Sequence, residues 1–185
     1  MNHIILVGFI GCGKGAAAKK LGISMALPVF DVDKMIAERM KMGVEEIFAQ
    51  FGEVYYRALE TQTLNHLMLL DNRSIIVLGS GLPTNPANDD YLKKLGKVYY
   101  LKSTKAALVK KIQKSKKHDW LKNDDMTDQV SELLKEREAA YLRIADVEVL
   151  VDDLSSDEIA EQLAFYDREP EIAPVIKHDE KAAPK

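Results

Sequence analysis

The run Gly8-Phe9-Ile10-Gly11-Cys12-Gly13-Lys14 sets glycines and one lysine at a spacing suited to holding phosphate. Glycines let a backbone curl until successive N–H groups point at one anion, and a lysine at the far end reaches the terminal phosphates. The loop follows the apolar, β-branched run Ile4–Val7 and leads into Gly15-Ala16-Ala17-Ala18, the setting of a strand passing into a helix whose N-terminus adds partial positive charge. Gly11, Cys12, Gly13, Lys14, Gly15 and Ala16 are therefore candidate nucleotide-binding residues, with Lys14 on the β and γ phosphates. The competing reading is a glycine-rich turn without a ligand. Position 15 is glycine, where the complete motif has a Ser or Thr hydroxyl for Mg²⁺. Water can take that place, because Mg²⁺ commonly keeps several waters.

Four further groups could do chemistry. Asp31-Val32-Asp33 offers two carboxylates, one to hold hydrated Mg²⁺ and one to orient or deprotonate an attacking hydroxyl; a solvated turn or helix cap is the alternative. Arg57 and Glu60 lie three apart on an expected helix, either as a surface ion pair worth little or as a guanidinium oriented toward an anionic substrate. Gly79-Ser80-Gly81 would let backbone approach a small ligand closely, or is a plain loop. Arg137 and Tyr141, four apart, read most simply as a surface pair.

The elements that must position these groups alternate. Buried strands are expected at 4–7, 28–31, 74–78, 98–101 and 147–151. Helices are expected from Lys14 to an end at Gly22, over 34–50 with a break near Gly43, over 54–70, 104–113 and 131–144, and from a Ser155 or Ser156 cap to Phe165. Such alternation gives an α/β protein with a parallel sheet and helices on both faces, its functional residues at the strands' carboxyl ends. Lys114 to Asp128 is polar and charged around a lone Trp120 and reads as an excursion between helices. Asp167 to Lys185, with three prolines and many charges, reads as a flexible tail outside the core.

The bulk properties agree. A chain of 185 residues suffices for one domain with a sizeable core. A formal net charge of −3 argues against nucleic acid or an anionic membrane as the main partner. Cys12 is the single cysteine, so no intrachain disulfide is possible. No basic, apolar leader and no run long enough to span a bilayer is present, and a cytoplasmic location is the expectation.

In combination, Gly8-x4-Gly13-Lys14, Asp31-x-Asp33, Phe51-Gly-Glu-x3-Arg57-x2-Glu60, the cluster at 79–81 and Arg137-x3-Tyr141-x3-Ala145-Asp146 resemble the shikimate kinases. The likeness runs from about Ile4 to Phe165. It implies a P-loop NTPase of nucleoside-monophosphate-kinase-like fold, with a central five-stranded parallel sheet over 1–166 and the tail at 167–185. It also implies a substrate-binding subdomain near 33–62 and a lid near 114–128. By the resemblance, Asp33, Arg57, Gly79, Ser80, Gly81 and Arg137 hold shikimate. Asp33 is the base, and the two arginines grip the carboxylate. Asp31 stands near Mg²⁺ through water, and Lys14, with Lys117 and His118, serves ATP. The reaction implied is transfer of the γ-phosphoryl group of ATP to the 3-hydroxyl of shikimate by a monomer.

Three positions depart from that pattern. They are Gly15, Ser80 within the usual three-glycine run, and His118-Asp119-Trp120-Leu121 where the lid usually has Arg-Pro-Leu-Leu. Loss of one preorganised donor to transition-state charge costs on the order of 3 kcal/mol. Alternatives are therefore a catalytically impaired binding or regulatory protein, and a kinase for another small hydroxylated acid.

Overall fold

The computed structural model describes residues 2–115, 121 and 125–176. Strand β1 (His3–Val7) is buried at every position, which for consecutive residues means that both faces of the sheet centre are covered. Helix α1 (Lys14–Met25) follows, then β2 (Val29–Asp31), α2 (Val32–Met40), α3 (Val44–Leu67) and β3 (Ile75–Val77). The second half holds α4 (Asp89–Leu95), β4 (Gly96–Lys102), α5 (Lys105–Lys114), α6 (Met126–Ile144), β5 (Val147–Leu150) and α7 (Ser156–Arg168). All strand pairs are parallel, in the order β2-β3-β1-β4-β5.

This register positions the site. Leu6 of β1 stands opposite Val77 of β3, and Val77 opposite Asp31 of β2. Two residues past that common row lie Gly8, Gly79 and Asp33, so three distant parts of the chain meet at the carboxyl ends of the strands.

Several expected boundaries move. Helix α1 does not stop at Gly22 but runs to Met25 and ends in Ala26, whose φ is 53°. Gly22 serves packing instead: a Cβ there would come within 2.6 Å of Val29 Cγ2, so glycine lets β2 approach the helix. The helices expected over 34–50 and 54–70 become α2 and α3. In α3, Gly52 (φ 78°, ψ 173°) kinks the helix rather than ending it. Helix α4 and the two short 3₁₀ turns at Leu82–Thr84 and Pro86–Asn88 were not expected. Ser155 does cap α7, in a capping box with Glu158.

The expected tail outside the core needs correction for its first ten residues. Asp167 and Arg168 close α7, and Asp167 pairs with Arg73. Val175 then bridges Val147 of β5 in antiparallel fashion. Glu148 N–H donates to Pro174 O at 3.1 Å, and Ile176 N–H to Asp146 O at 3.0 Å. Ala173 is buried beneath this strap. Most of the expected lid, including Lys117, His118 and Trp120, lies outside the described residues. Among the described residues no helix is long and apolar enough to cross a membrane.

Candidate active site

The phosphate loop has the backbone its glycines allow. Gly11 and Gly13 adopt φ of 84° and 96°, values that disfavour any side chain. Gly8 is needed for space as well, since a Cβ there would sit 2.7 Å from Leu101 O. Lys14 Nζ arches back over the loop, donating to Gly8 O at 2.7 Å and Phe9 O at 3.2 Å. Helix α1 has no side-chain cap at its N-terminus, and while Ala16 N–H donates to Gly13 O at 3.1 Å, the N–H groups of Lys14 and Gly15 stand ready for an acceptor. The loop fits a polyphosphate.

On the metal side, Gly15 and Asp31 line a common groove of about 370 Å³ with Lys19, Lys34 and Glu38. Asp31 is the N-cap of α2, accepting from Lys34 N–H at 3.3 Å, and its other oxygen is 3.3 Å from Lys34 Nζ. The cap reading of Asp31 and its place beside Gly15 therefore hold together. Among the described residues no group of three metal-ligating side chains exists. What is present suits an ion that arrives with most of its ligands on phosphate and water, not a caged one. No atom lies within 4 Å of a Cβ built on Gly15, so a serine there would fit.

The acceptor side is denser. Asp33 is half-buried and takes a 2.7 Å hydrogen bond from Tyr56 OH. Burial raises its pKa, against the opposing pull of that hydrogen bond and of Lys14 and Arg57. Arg57 is no surface ion pair: its side chain is 17 % exposed. Its Nη1 donates to Glu60 at 2.7 Å, and its Nη2 and Nε donate to Glu53 at 2.8 and 3.1 Å. Phe48 lies beneath the guanidinium, 5.8 Å from ring centre to Cζ. Glu60 is fully buried, and among the described residues its Oε1 has no hydrogen-bond partner. Desolvation pushes its pKa up to about 7 despite Arg57.

The glycine cluster owes its composition to these neighbours. Neither Gly79 nor Gly81 has a positive φ; Gly81 sits at −98°. A Cβ on Gly79 would come within 2.5 Å of Asp33 Oδ1 and 2.8 Å of Glu60 Oε1. One on Gly81 would strike Arg57 Nη2. Glycine at 79 and 81 is a requirement of space. Position 80 differs, for its side chain turns to Arg137, whose Nη1 donates to Ser80 Oγ at 2.9 Å. Tyr141, expected at the surface, is fully buried and donates its hydroxyl to Ser80 O at 2.6 Å. Arg137 also stands over Phe9 of the phosphate loop, at 5.8 Å. Thr61 and the buried Asn88 join α3 to the cluster, through a 2.8 Å bond between them and a 3.3 Å bond from Asn88 to Leu82 O.

The fold thus brings Asp33, Arg57, Gly79, Ser80, Gly81 and Arg137 together at the carboxyl ends of the strands beside Gly8–Lys14. The sequence reading gave no role to Tyr56 or to Glu53, which hold Asp33 and Arg57. Helical spacing was a signal for Glu53, four residues before Arg57 on α3, whereas Tyr56 meets Asp33 across 23 residues and had none.

Comparison with known proteins agrees with this geometry. A family model described as shikimate kinase matches residues 10–165. The shikimate kinase of Thermoanaerobacter pseudethanolicus is 36% identical over 163 residues, covering 88% of this chain and 94% of that protein. That of Caldanaerobacter subterraneus subsp. tengcongensis is 35% identical over the same length and coverage. Among solved structures, the Acinetobacter baumannii shikimate kinase in complex with shikimate superposes with a TM-score of 0.85 at 24% identity, covering 93% of this chain and 96% of that one. The Aquifex aeolicus shikimate kinase gives 0.77 at 26% identity, with 92% and 98% covered. The matches favour a small-molecule kinase over an impaired binding protein. A phosphate loop, a buried carboxylate and two convergent arginines, matched along nearly the whole chain, make this protein a member of the shikimate kinase family.

Proposed function

We propose that this chain transfers the γ-phosphoryl group of ATP to the 3-hydroxyl of shikimate. The observation that carries the proposal is the convergence of half-buried Asp33 with Arg57 and Arg137 around Gly79–Gly81, next to the phosphate loop. Two guanidinium groups suit the acceptor's carboxylate, because each presents a planar fork of donors. Asp33 orients the ring hydroxyls and accepts the proton of the 3-hydroxyl as that oxygen attacks phosphorus and ADP departs. Its upward-shifted pKa makes it a stronger base than an exposed aspartate. Lys14 and the loop amides, including those of Gly11, Cys12, Gly13, Gly15 and Ala16, hold the nucleotide's phosphates. Asp31 would hold Mg²⁺ through water, and the chemistry the metal would supply there is neutralisation of phosphate charge. Residues 33–62 act as the acceptor-binding subdomain, and the protein works as a cytoplasmic monomer, for which a solution mass near 20.8 kDa is expected.

A steady-state assay with ATP, Mg²⁺ and shikimate tests this. Shikimate-dependent ADP release is expected, with Asp33→Asn lowering kcat by about 100-fold or more. No shikimate-dependent release from the wild-type chain would sink the proposal. Gly15→Ser is expected to lower the Mg²⁺ concentration needed for half-maximal rate, since the hydroxyl enters open space beside Asp31. An unchanged Mg²⁺ requirement means that the phosphates and Asp31 already supply all the metal needs.

A further inference from the structure

We infer that Ser80 sets the affinity of the acceptor's carboxylate: its hydroxyl is a third donor to that group and is held in place by Arg137. The inference rests on the proposed acceptor reading and concerns a position where the glycine run of the family is interrupted.

A serine hydroxyl has one hydrogen to donate and lone pairs to accept with. Ser80 Oγ accepts from Arg137 Nη1 at 2.9 Å, an arrangement that spends a lone pair and leaves the hydrogen. Among the described residues that hydroxyl donates to nothing. The serine is fixed from its other side too, since Tyr141 OH donates to Ser80 O at 2.6 Å. Tyr141 is fully buried, so this anchor does not swing.

The neighbours determine what the free hydrogen meets. Arg57 lies against Gly81 on one flank, and Arg137 approaches Ser80 itself. An anion gripped between these two guanidinium groups lies within reach of the hydroxyl that Arg137 already touches. Among the described residues Ser80 Oγ donates neither to Glu60, which pairs with Arg57, nor to Asp33, which accepts from Tyr56. The carboxylate of the acceptor, drawn between Arg57 and Arg137, is the group that its hydrogen meets.

The flanking positions differ. A side chain at 79 would displace Asp33 or Glu60, and one at 81 would displace Arg57, whereas the side chain at 80 already meets Arg137. In the free protein the same contact keeps Arg137 aimed into the site, so less rotamer freedom is lost on binding.

Shikimate binding by calorimetry and steady-state kinetics, run on the wild type, Ser80→Ala and Ser80→Gly with ATP and Mg²⁺, tests the assignment. A hydrogen bond to a charged group predicts that both variants bind shikimate about 10-fold more weakly. The loss should fall on KM more than on kcat, because the carboxylate is gripped equally in ground and transition states. With the methyl ester of shikimate, which lacks the charge, wild type and Ser80→Ala should differ by less than about twofold. Equal or tighter shikimate binding in Ser80→Ala or Ser80→Gly overturns the inference, and tighter binding in the glycine variant would show the hydroxymethyl group to be an obstacle. A wild-type chain that binds no shikimate overturns the acceptor reading and this inference with it, whereas the former results leave that reading intact.

Discussion

At the scale of single residues, the site is governed by what burial does to charge. Glu60 pairs with Arg57 through one oxygen and, among the described residues, leaves the other without a partner, so desolvation outweighs attraction. A carboxyl whose pKa rises on folding from 4.5 to about 7 binds more protons in the native state across that interval. Its contribution to stability is therefore greatest at the acid end and falls as pH climbs through 7. Relative to Glu60→Gln, the wild type should lose stability between pH 5 and pH 8, by at most about 3 kcal/mol. Urea unfolding of both proteins at the two pH values measures this; parallel pH dependences would mean that Glu60 stays ionised throughout. Arg57 has the opposite fate. Burial alone would lower its pKa, but Glu60 and Glu53 more than offset that, so it remains a cation ready for an acid.

At the scale of elements, the sequence made the strongly patterned pieces legible. Continuous apolar runs marked the strands, and a serine at 155 or 156 marked the start of α7, where the structure chooses Ser155. Weak signals misled where a residue has two uses. Gly22 looked like a helix terminator, yet it is glycine because Val29 packs against it. Helix α4 follows Pro86 and Asn88 closely and is only seven residues long, too brief for periodicity to show. Helix α7 also matters to the site, for it packs along α1, joined by Lys20–Asp157 at 2.9 Å. Ser155→Ala should cost about 1 kcal/mol, or about 2–4 °C in Tm. A thermal melt checks it, and an unchanged Tm would show that the cap contributes nothing in this context.

At the scale of the whole molecule, the strand order and the strap decide what is exposed. Strand β5 stands at the end of the sheet, and residues 173–176 cover part of its free edge. An uncovered edge offers unpaired N–H and C=O groups to other chains. Ending the chain after Glu169 removes the two backbone hydrogen bonds to Asp146 and Glu148 together with the buried side chain of Ala173, a loss of about 2 kcal/mol. The truncated protein should melt several degrees lower and self-associate more by light scattering, while a chain ending after Ile176 keeps the strap. If the two truncations behave alike, the strap is not what stabilises β5.

By itself the sequence determined the phosphate loop, the alternating α/β order and the residues that resemble a shikimate kinase site, because these depend on local spacing and residue type. Gly8 to Lys14 needs no distant partner to be recognised, and Asp33, Arg57 and Arg137 carry their chemistry with them. The tertiary structure alone decided which oxygen and nitrogen atoms meet. Tyr56 on Asp33, Ser80 on Arg137 and Tyr141 on the backbone of Ser80 join positions 23, 57 and 61 residues apart. Such pairs follow from parallel strands brought into register and from helices packed across them. A pattern confined to neighbours along the chain carries no record of those distances, and the same is true of the edge that the final residues cover.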